Sequence, residues 1–374
     1  MSFTITTAQG KQEFNEFLQL PYRIYRDDPN YVYPLLDDLK HFFDRKKNPF
    51  FNHAEVELWI ARDASGTVVG RIAAAVDKYN NDHQKEEVGF FGFYEADDNA
   101  ELATLLLQTA NDWIASKGMR IMRGPGCFTS NHDWFGVQVE GIRSRPVVGM
   151  PYNMEYYPTH FENFGLLQAK DLLAWYMETG GEQPEKIMRL IDRILSRPGL
   201  TIRNMDMNKF DEEASLIRSL YNDSWSENWG FIPMDDDDFA YSAKDMKSMV
   251  DPKLIFIAEM EGKPIAFAFV LMDFNQATQP MKGKMYPFGW LKFLLAKRKI
   301  NFARMPLMGV LPEYRKLGVD LALVYRAIQA SFDNGVTSGE LSWILADNKP
   351  MNRILESYGG HVYKTYRIYE KPVA

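Results

Sequence analysis

Cysteine is almost absent from this chain: Cys127 stands alone among 374 residues. A single thiol excludes an internal disulfide and a cysteine-built zinc site, and it fits a reducing compartment. Long apolar runs are also missing. The longest, Ile265 to Met272, falls far short of the roughly 20 residues a membrane-spanning helix needs. Met1 to Gly10 carries no charged stretch followed by an apolar one, so it does not read as a secretion signal. The expectation is a soluble, cytoplasmic protein. Histidine is scarce, and His41, His53, His83, His132, His160 and His361 show no metal-ligand spacing, so no metal is expected. Positive charge is in deficit, with 43 Lys and Arg against 50 Asp and Glu and a net charge of −7. That balance argues against nucleic acid as a partner, because neutralising phosphates takes a basic face. A small anion stays possible, since a few backbone amides can hold one.

What is present is globular. Hydrophobic residues make up 46% and charged residues 25%, which excludes a disordered or fibrous chain. The length suggests about two to three domains. Aromatic content is high at 14%, which implies large aromatic cores or a pocket for a bulky apolar substrate.

Two stretches read alike. Glu57 to Arg62, a turn at Ser65-Gly66, and Val68 to Val76 form one predicted hairpin. Leu254 to Glu259, a turn at Glu261-Gly262, and Pro264 to Leu271 form another. Each follows a helical region and precedes a strand–helix–strand. In the first half the strand is Val88 to Tyr94, the helix is capped at Asp98-Asn99 and ends at Gly118, and the next strand is Met119 to Arg123. In the second, Leu307 to Val310 leads through a loop to a helix ending near Gly335. Then come the strand Glu340 to Leu345, a short helix Asn348 to Tyr358, and a last strand His361 to Tyr369. The order predicts a mixed α/β fold in two tandem halves, each a mixed sheet flanked by helices. Asp171 to Met177 is the last strand of the first half. Gly180-Gly181 and Pro184 mark the boundary, giving domains 1–180 and 181–374.

The stretch Val310-Leu-Pro312-Glu-Tyr-Arg315-Lys316-Leu-Gly318-Val319-Asp320 joins a strand to an amphipathic helix. A glycine there allows close backbone approach, the helix start offers free amides and a positive dipole end, and two cations add charge for a phosphate. On spacing alone, the same residues also suit an ordinary strand–helix loop with solvated basic side chains.

V-x-P-x-x-R-x-x-G after a strand and before a helix resembles the acyl-CoA loop of the GNAT acetyltransferase superfamily. Asn348, Ile354, Glu356 and Gly359 are similar to that superfamily's second motif. The whole chain resembles bacterial proteins with two GNAT-like halves, through Arg123-Gly-Pro125 to Asn131, Val139 to Gly141, Pro151 to Asn153, and Tyr156-Tyr157. The resemblance implies an acyl-CoA-dependent N-acyltransferase moving an acetyl group to a small-molecule or peptide amine by direct attack on the thioester. Acetyl-CoA or another acyl-CoA would be the co-substrate. Arg315, Lys316, Gly318 and Val319 would hold the CoA pyrophosphate, the Val310 amide would face the oxyanion, and Asn348 would touch the CoA arm.

Three positions depart from that pattern. Asp320 stands where a small residue is usual, and serves either as a repelling charge or as a helix-dipole partner. Leu355 replaces the frequent tyrosine acid, leaving Tyr358, out of register, as the candidate. The strand from Arg304 to Val310 has no carboxylate to act as a base. These departures keep open a non-catalytic scaffold of the same fold. An aminoacyl-transfer enzyme of the peptidoglycan-bridge type is a further alternative, which would need a basic tRNA-sized surface. In the first half, Glu95 to Asn99 is acidic where phosphate needs amides and cations, so that half is expected to have lost standard CoA binding. Asp235 to Asp238 reads as a helix start or a calcium loop, and Asn131-His132-Asp133 with Cys127 as a possible nucleophile system. Finally, Lys282 to Arg304 alternates cations with aromatic and aliphatic residues. It is expected to lie outside both core sheets, as a cover over the acceptor cleft, a packed surface helix, or a peripheral contact with an anionic membrane.

Overall fold

A computed structural model describes residues 2–128, 135–141, 143–181, 184–247 and 250–373. Among the described residues there are thirteen strands: β1 (Thr4–Thr7), β2 (Ala54–Arg62), β3 (Val68–Asp77), β4 (Val88–Ala96), β5 (Ile121–Gly126), β6 (Val137–Gly141), β7 (Leu167–Glu178), β8 (Leu200–Asn204), β9 (Ile255–Met260), β10 (Lys263–Met272), β11 (Phe302–Val310), β12 (Ser338–Leu345) and β13 (His361–Pro372). Both predicted hairpins are there, as β2–β3 and β9–β10, each antiparallel.

The chain packs into two compact units that are not consecutive stretches. The first comprises Met1–Leu172, Asn275–Ala296 and Lys364–Ala374, the second Leu173–Phe274 and Lys297–Tyr363. The sequence boundary near 180 describes where the element order repeats, and we keep 1–180 and 181–374 as a proposal about that repeat. It is a different partition from the compact units. The hydrogen-bonded strand order is β1-β2-β3-β4-β5-β13-β7-β12-β11-β10-β9-β8, with β6 also on β13. The strands β7 and β13 each have residues in both units.

In the first unit, β2 and β3 bury both faces. Trp59, Ala61, Ile72 and Ala74 face the helix Ala100–Ser116 and its Leu102, Leu106 and Ile114. Their neighbours Leu58, Ile60, Ala73 and Ala75 join Phe17 and Leu18 of the helix Lys11–Ile24. Two-sided burial explains why these strands read as nearly unbroken apolar runs. Asn99 caps the helix as expected, its side chain accepting from Leu102 N–H at 3.0 Å.

The second unit repeats the plan. Ala266, Ala268 and Val270 of β10 face the helices Glu185–Leu195 and Val319–Asp333. Phe267 and Phe269 point the other way, towards the helix Phe210–Trp225. The acidic run behaves as a helix start: Asp235 accepts from Asp238 N–H at 2.8 Å, and Asp236 pairs with Arg218. Within Lys282 to Arg304, a helix covers Gly289–Lys297, but Phe302 to Arg304 already belong to β11. The expectation that the whole segment lies outside the sheet is corrected at that end.

Asn99→Ala removes the partner of a helix-start amide and is expected to cost about 1 kcal/mol in urea unfolding; an unchanged midpoint would show that the cap carries no stability.

Candidate functional site

β11 and β12 run parallel, but they pair only from Phe302 to Met305, opposite Ser338 to Leu341. The pairing stops one residue before Pro306, which has no N–H to continue a ladder. β11 then goes on to Val310 against β10 alone. Leu311 N–H donates to Ile265 O at 2.9 Å, on the β10 side. Alternation along a strand turns the polar groups of Val310 and Met308 to the opposite edge, where β12 has departed. Met308 O there accepts from the Trp225 indole N–H at 2.9 Å. Gly309 makes room for this: a Cβ on it would lie 2.1 Å from Ser224 Oγ, so the helix end carrying Ser224 and Trp225 rests on bare backbone. Tyr221, Phe231 and Leu311, with the half-buried Trp225 and Tyr314, form an apolar cluster around the end of β11.

Past Leu311 the chain makes a 3₁₀ turn, Pro312–Leu317, and enters the helix Val319–Asp333 through Gly318 at φ 75°. The sequence predicts that this glycine lets a ligand approach. In the structure a Cβ on Gly318 would lie 2.8 Å from Ile194 Cδ1, so the left-handed turn and the packing of the helix Glu185–Leu195 both call for glycine. Lys316 is exposed. Arg315 is drawn to the end of the helix Phe210–Trp225, donating to Ser224 O at 2.9 Å and pairing with Glu227 at 3.3 Å. The Asp320 carboxylate turns back onto its own helix and accepts from Leu321 N–H at 2.9 Å. It is half-buried, and desolvation pushes its pKa up despite those backbone bonds.

The remaining predicted residues have structural duties. Asn348 caps the helix Lys349–Ser357, its Oδ1 accepting from Met351 N–H at 3.3 Å. Tyr358 is buried and donates its hydroxyl to Leu321 O at 2.7 Å, and burial pushes its pKa well up. Leu355 is fully buried in the core. Cys127 is buried, and Asn131, His132 and Asp133 lie outside the described residues.

Sequence reasoning missed Trp225, whose position at the gap depends on packing, and a buried polar group on β12. Glu340 accepts from the Ser342 and Tyr363 hydroxyls, while Arg304 donates to Ser342 Oγ and Ser342 O, each at 3.1 Å. The signal for it was a lone carboxylate at the start of the predicted strand Glu340 to Leu345. Glu340 stands level with Arg304, six residues before Val310, or about 20 Å along the strand. It braces the closed end of the gap and lies too far from Val310 to act there.

The matching strand end in the first unit is closed. Ala96 N–H donates to the Tyr157 hydroxyl at 3.2 Å, and Ala96 O accepts from Tyr156 at 2.8 Å. Glu95 beside it is buried, accepts from Tyr157 at 2.7 Å and Tyr25 at 2.9 Å, and lies 3.6 Å from Arg71. Desolvation raises its pKa above the usual carboxylate range, with the cation and the hydroxyls acting against it.

This architecture, including the tandem arrangement, is that of the GNAT superfamily, an acyltransferase fold. The tandem GNAT protein from the clavulanic acid biosynthesis pathway superposes at TM-score 0.57 over 100% of this chain and 98% of its own, at 13% identity. No family model matches the chain. Two relatives match nearly end to end. Protein YghO of Escherichia coli K12 is 34% identical, covering 99% of this chain and 95% of its own. Bacterial ceramide synthase of Caulobacter vibrioides is 34% identical, covering 98% and 97%. The chain belongs to the family these two proteins represent.

Asp320 yields a pH prediction. Its raised folded-state pKa means that the ionised form weakens the fold, a penalty fully present at neutral pH and absent once the group is protonated in both states. Asp320→Asn should therefore unfold at higher denaturant than the wild type at pH 7. The gain should vanish as the pH falls through the ordinary Asp value near 4. A gain that grows in acid would contradict the assignment. Separately, Glu340→Ala removes an acceptor from the buried Ser342 hydroxyl and the half-buried Tyr363 hydroxyl and should cost about 1–3 kcal/mol in chemical unfolding, with Glu340→Gln costing less.

Proposed function

We propose that this protein is an acyl-CoA-dependent N-acyltransferase that joins a fatty acyl group to the amine of a long-chain lipid base. One observation carries the reading. The Val310 N–H is turned towards a gap between parallel strands, and a strand–turn–helix with two cations follows at once. Such an amide can donate to a thioester carbonyl oxygen as negative charge develops on it. The amides of the turn up to Gly318 and Val319, with Arg315 and Lys316, hold the pyrophosphate of the acyl-CoA. Asp320 occupies the Leu321 amide, so the anion depends on the turn and the cations more than on the helix start. Asn348 stays in the proposal through its side-chain nitrogen alone, because its oxygen is the cap.

The amine nitrogen attacks the thioester carbon, the C–N bond forms as the C–S bond breaks, the nitrogen loses a proton and the sulfur leaves as the CoA thiol. Holding the two reactants side by side supplies most of the acceleration. Tyr358 is not assigned as the acid, since its hydroxyl is bonded to Leu321 O. The first unit has its corresponding Ala96 amide closed by Tyr157 and binds no CoA.

Acyl length departs from the acetyl expectation. A relative that matches over nearly the whole chain is named a ceramide synthase, and a ceramide is the amide of a fatty acid with a long-chain amino alcohol. The apolar cluster of Tyr221, Trp225, Phe231 and Tyr314 at the end of β11 suits such partners. The lone cysteine fits a reducing, cytoplasmic setting.

The test is CoA thiol release and product mass with acetyl-CoA or palmitoyl-CoA and a sphingoid base. Palmitoyl transfer should exceed acetyl transfer by at least about tenfold, a difference of roughly 1.4 kcal/mol in the barrier. Arg315→Ala with Lys316→Ala should raise KM for the acyl-CoA by about tenfold or more at an unchanged melting temperature. Preferred acetyl transfer would overturn the lipid reading, and no thiol release from any acyl-CoA would overturn the enzyme reading.

A further inference from the structure

Seven of the twelve exposed large apolar side chains among the described residues fall within eleven positions: Met285, Tyr286, Phe288, Trp290, Leu291, Leu294 and Leu295. Tyr286 is 81% and Phe288 66% exposed, and the helix Gly289–Lys297 buries only Gly289. Solvated surfaces rarely gather so much apolar area in one place. Trp290, Leu291, Leu294 and Leu295 are spaced to form a single stripe along the helix. Lys282, Lys284, Lys292, Lys297, Arg298 and Lys299 surround them, and the run from 282 to 304 has no Asp or Glu.

The stripe stands on a fixed base. Asn275 donates to Pro146 O at 2.9 Å and Gln279 to Pro29 O at 2.8 Å. Met281 is buried, and a Cβ on Gly283 would lie 2.3 Å from the Tyr22 hydroxyl oxygen. The turn before the helix is tight: a Cβ on Gly289 would lie 1.9 Å from Lys284 O, and Trp290 N–H donates to Met285 O at 3.1 Å.

We infer that residues 282–299 form an interfacial element that lays its aromatic and leucine side chains into an anionic lipid surface while its cations meet the headgroups. Charge complementarity selects this occupant. A second copy would bring six cations against six in a self-complementary contact. No described helix is long and apolar enough to cross a membrane, so the element lies on the surface. The inference rests on exposure and charge and is independent of the reading of the reaction.

The experiment is co-sedimentation of the full chain with vesicles of phosphatidylcholine alone or mixed with phosphatidylglycerol, without CoA. Wild-type protein should partition at least tenfold better onto the anionic vesicles. That excess should be lost near 1 M salt, where the screening length falls to about 3 Å. Leu294→Asp with Leu295→Asp should abolish binding to both vesicles. Lys292→Glu with Lys299→Glu should remove the anionic preference. All these side chains are exposed, so circular dichroism and melting temperature should not change. The inference is overturned if wild-type protein binds neither vesicle, if it binds both equally at low salt, or if the variants sediment like wild type. A vesicle-free dimer that Leu294→Asp dissolves would assign the stripe to a second copy and overturn it as well.

Discussion

The candidate site depends on a parallel ladder that stops early. β11 and β12 bond over four residues and then separate at Pro306, which cannot donate. Everything chemical in the second unit follows from the backbone groups this leaves exposed on β11. Unpaired backbone inside a fold is costly unless something meets it. Trp225 meets Met308 O, and Gly309 is bare so that the helix bearing Trp225 can come close enough to do so. The amide of Val310, one residue later, faces the same gap.

The two units treat the same strand end in opposite ways. At Ala96 the tyrosines of one short helix bond both backbone groups, and a buried glutamate with an arginine fills the space beside them. At Val310 the chain is instead handed to a tight turn carrying Arg315 and Lys316. A closed end adds bonds and rigidity, and an open end leaves its strand amide without them. The polar clusters around Glu95 and Glu340 are both braces of this kind: Glu95 is met by tyrosines from other elements, and Glu340 by Ser342 of its own strand and Tyr363 of β13.

Much of the plan was legible in the residues themselves. Hairpin signals at Ser65-Gly66 and Glu261-Gly262, the Asn99 cap and the strand–loop–helix at Val310 are local chemistry, and local chemistry survives into the fold. The site was legible in part. Gly318 was read as an approach for a ligand, and the structure adds that a Cβ there would crowd Ile194. Asp320 was weighed as a charge facing phosphate, and it turns onto Leu321 N–H. The Asn348 side-chain oxygen and the Tyr358 hydroxyl are taken by Met351 N–H and Leu321 O. Each of these depends on which distant element arrives beside the residue, which spacing does not encode.

By itself the sequence determined the two hairpins, the repeated element order and the loop that carries the cations, because caps, turns and alternation act within a few residues. The tertiary structure alone decided that β7 and β13 pass through both units, that Trp225 reaches Met308, and that Glu340 stands beside Arg304. Those pairings join residues tens to hundreds of positions apart. Their partners are selected by packing and by the need to satisfy buried polar groups, and neither leaves a local mark in the chain.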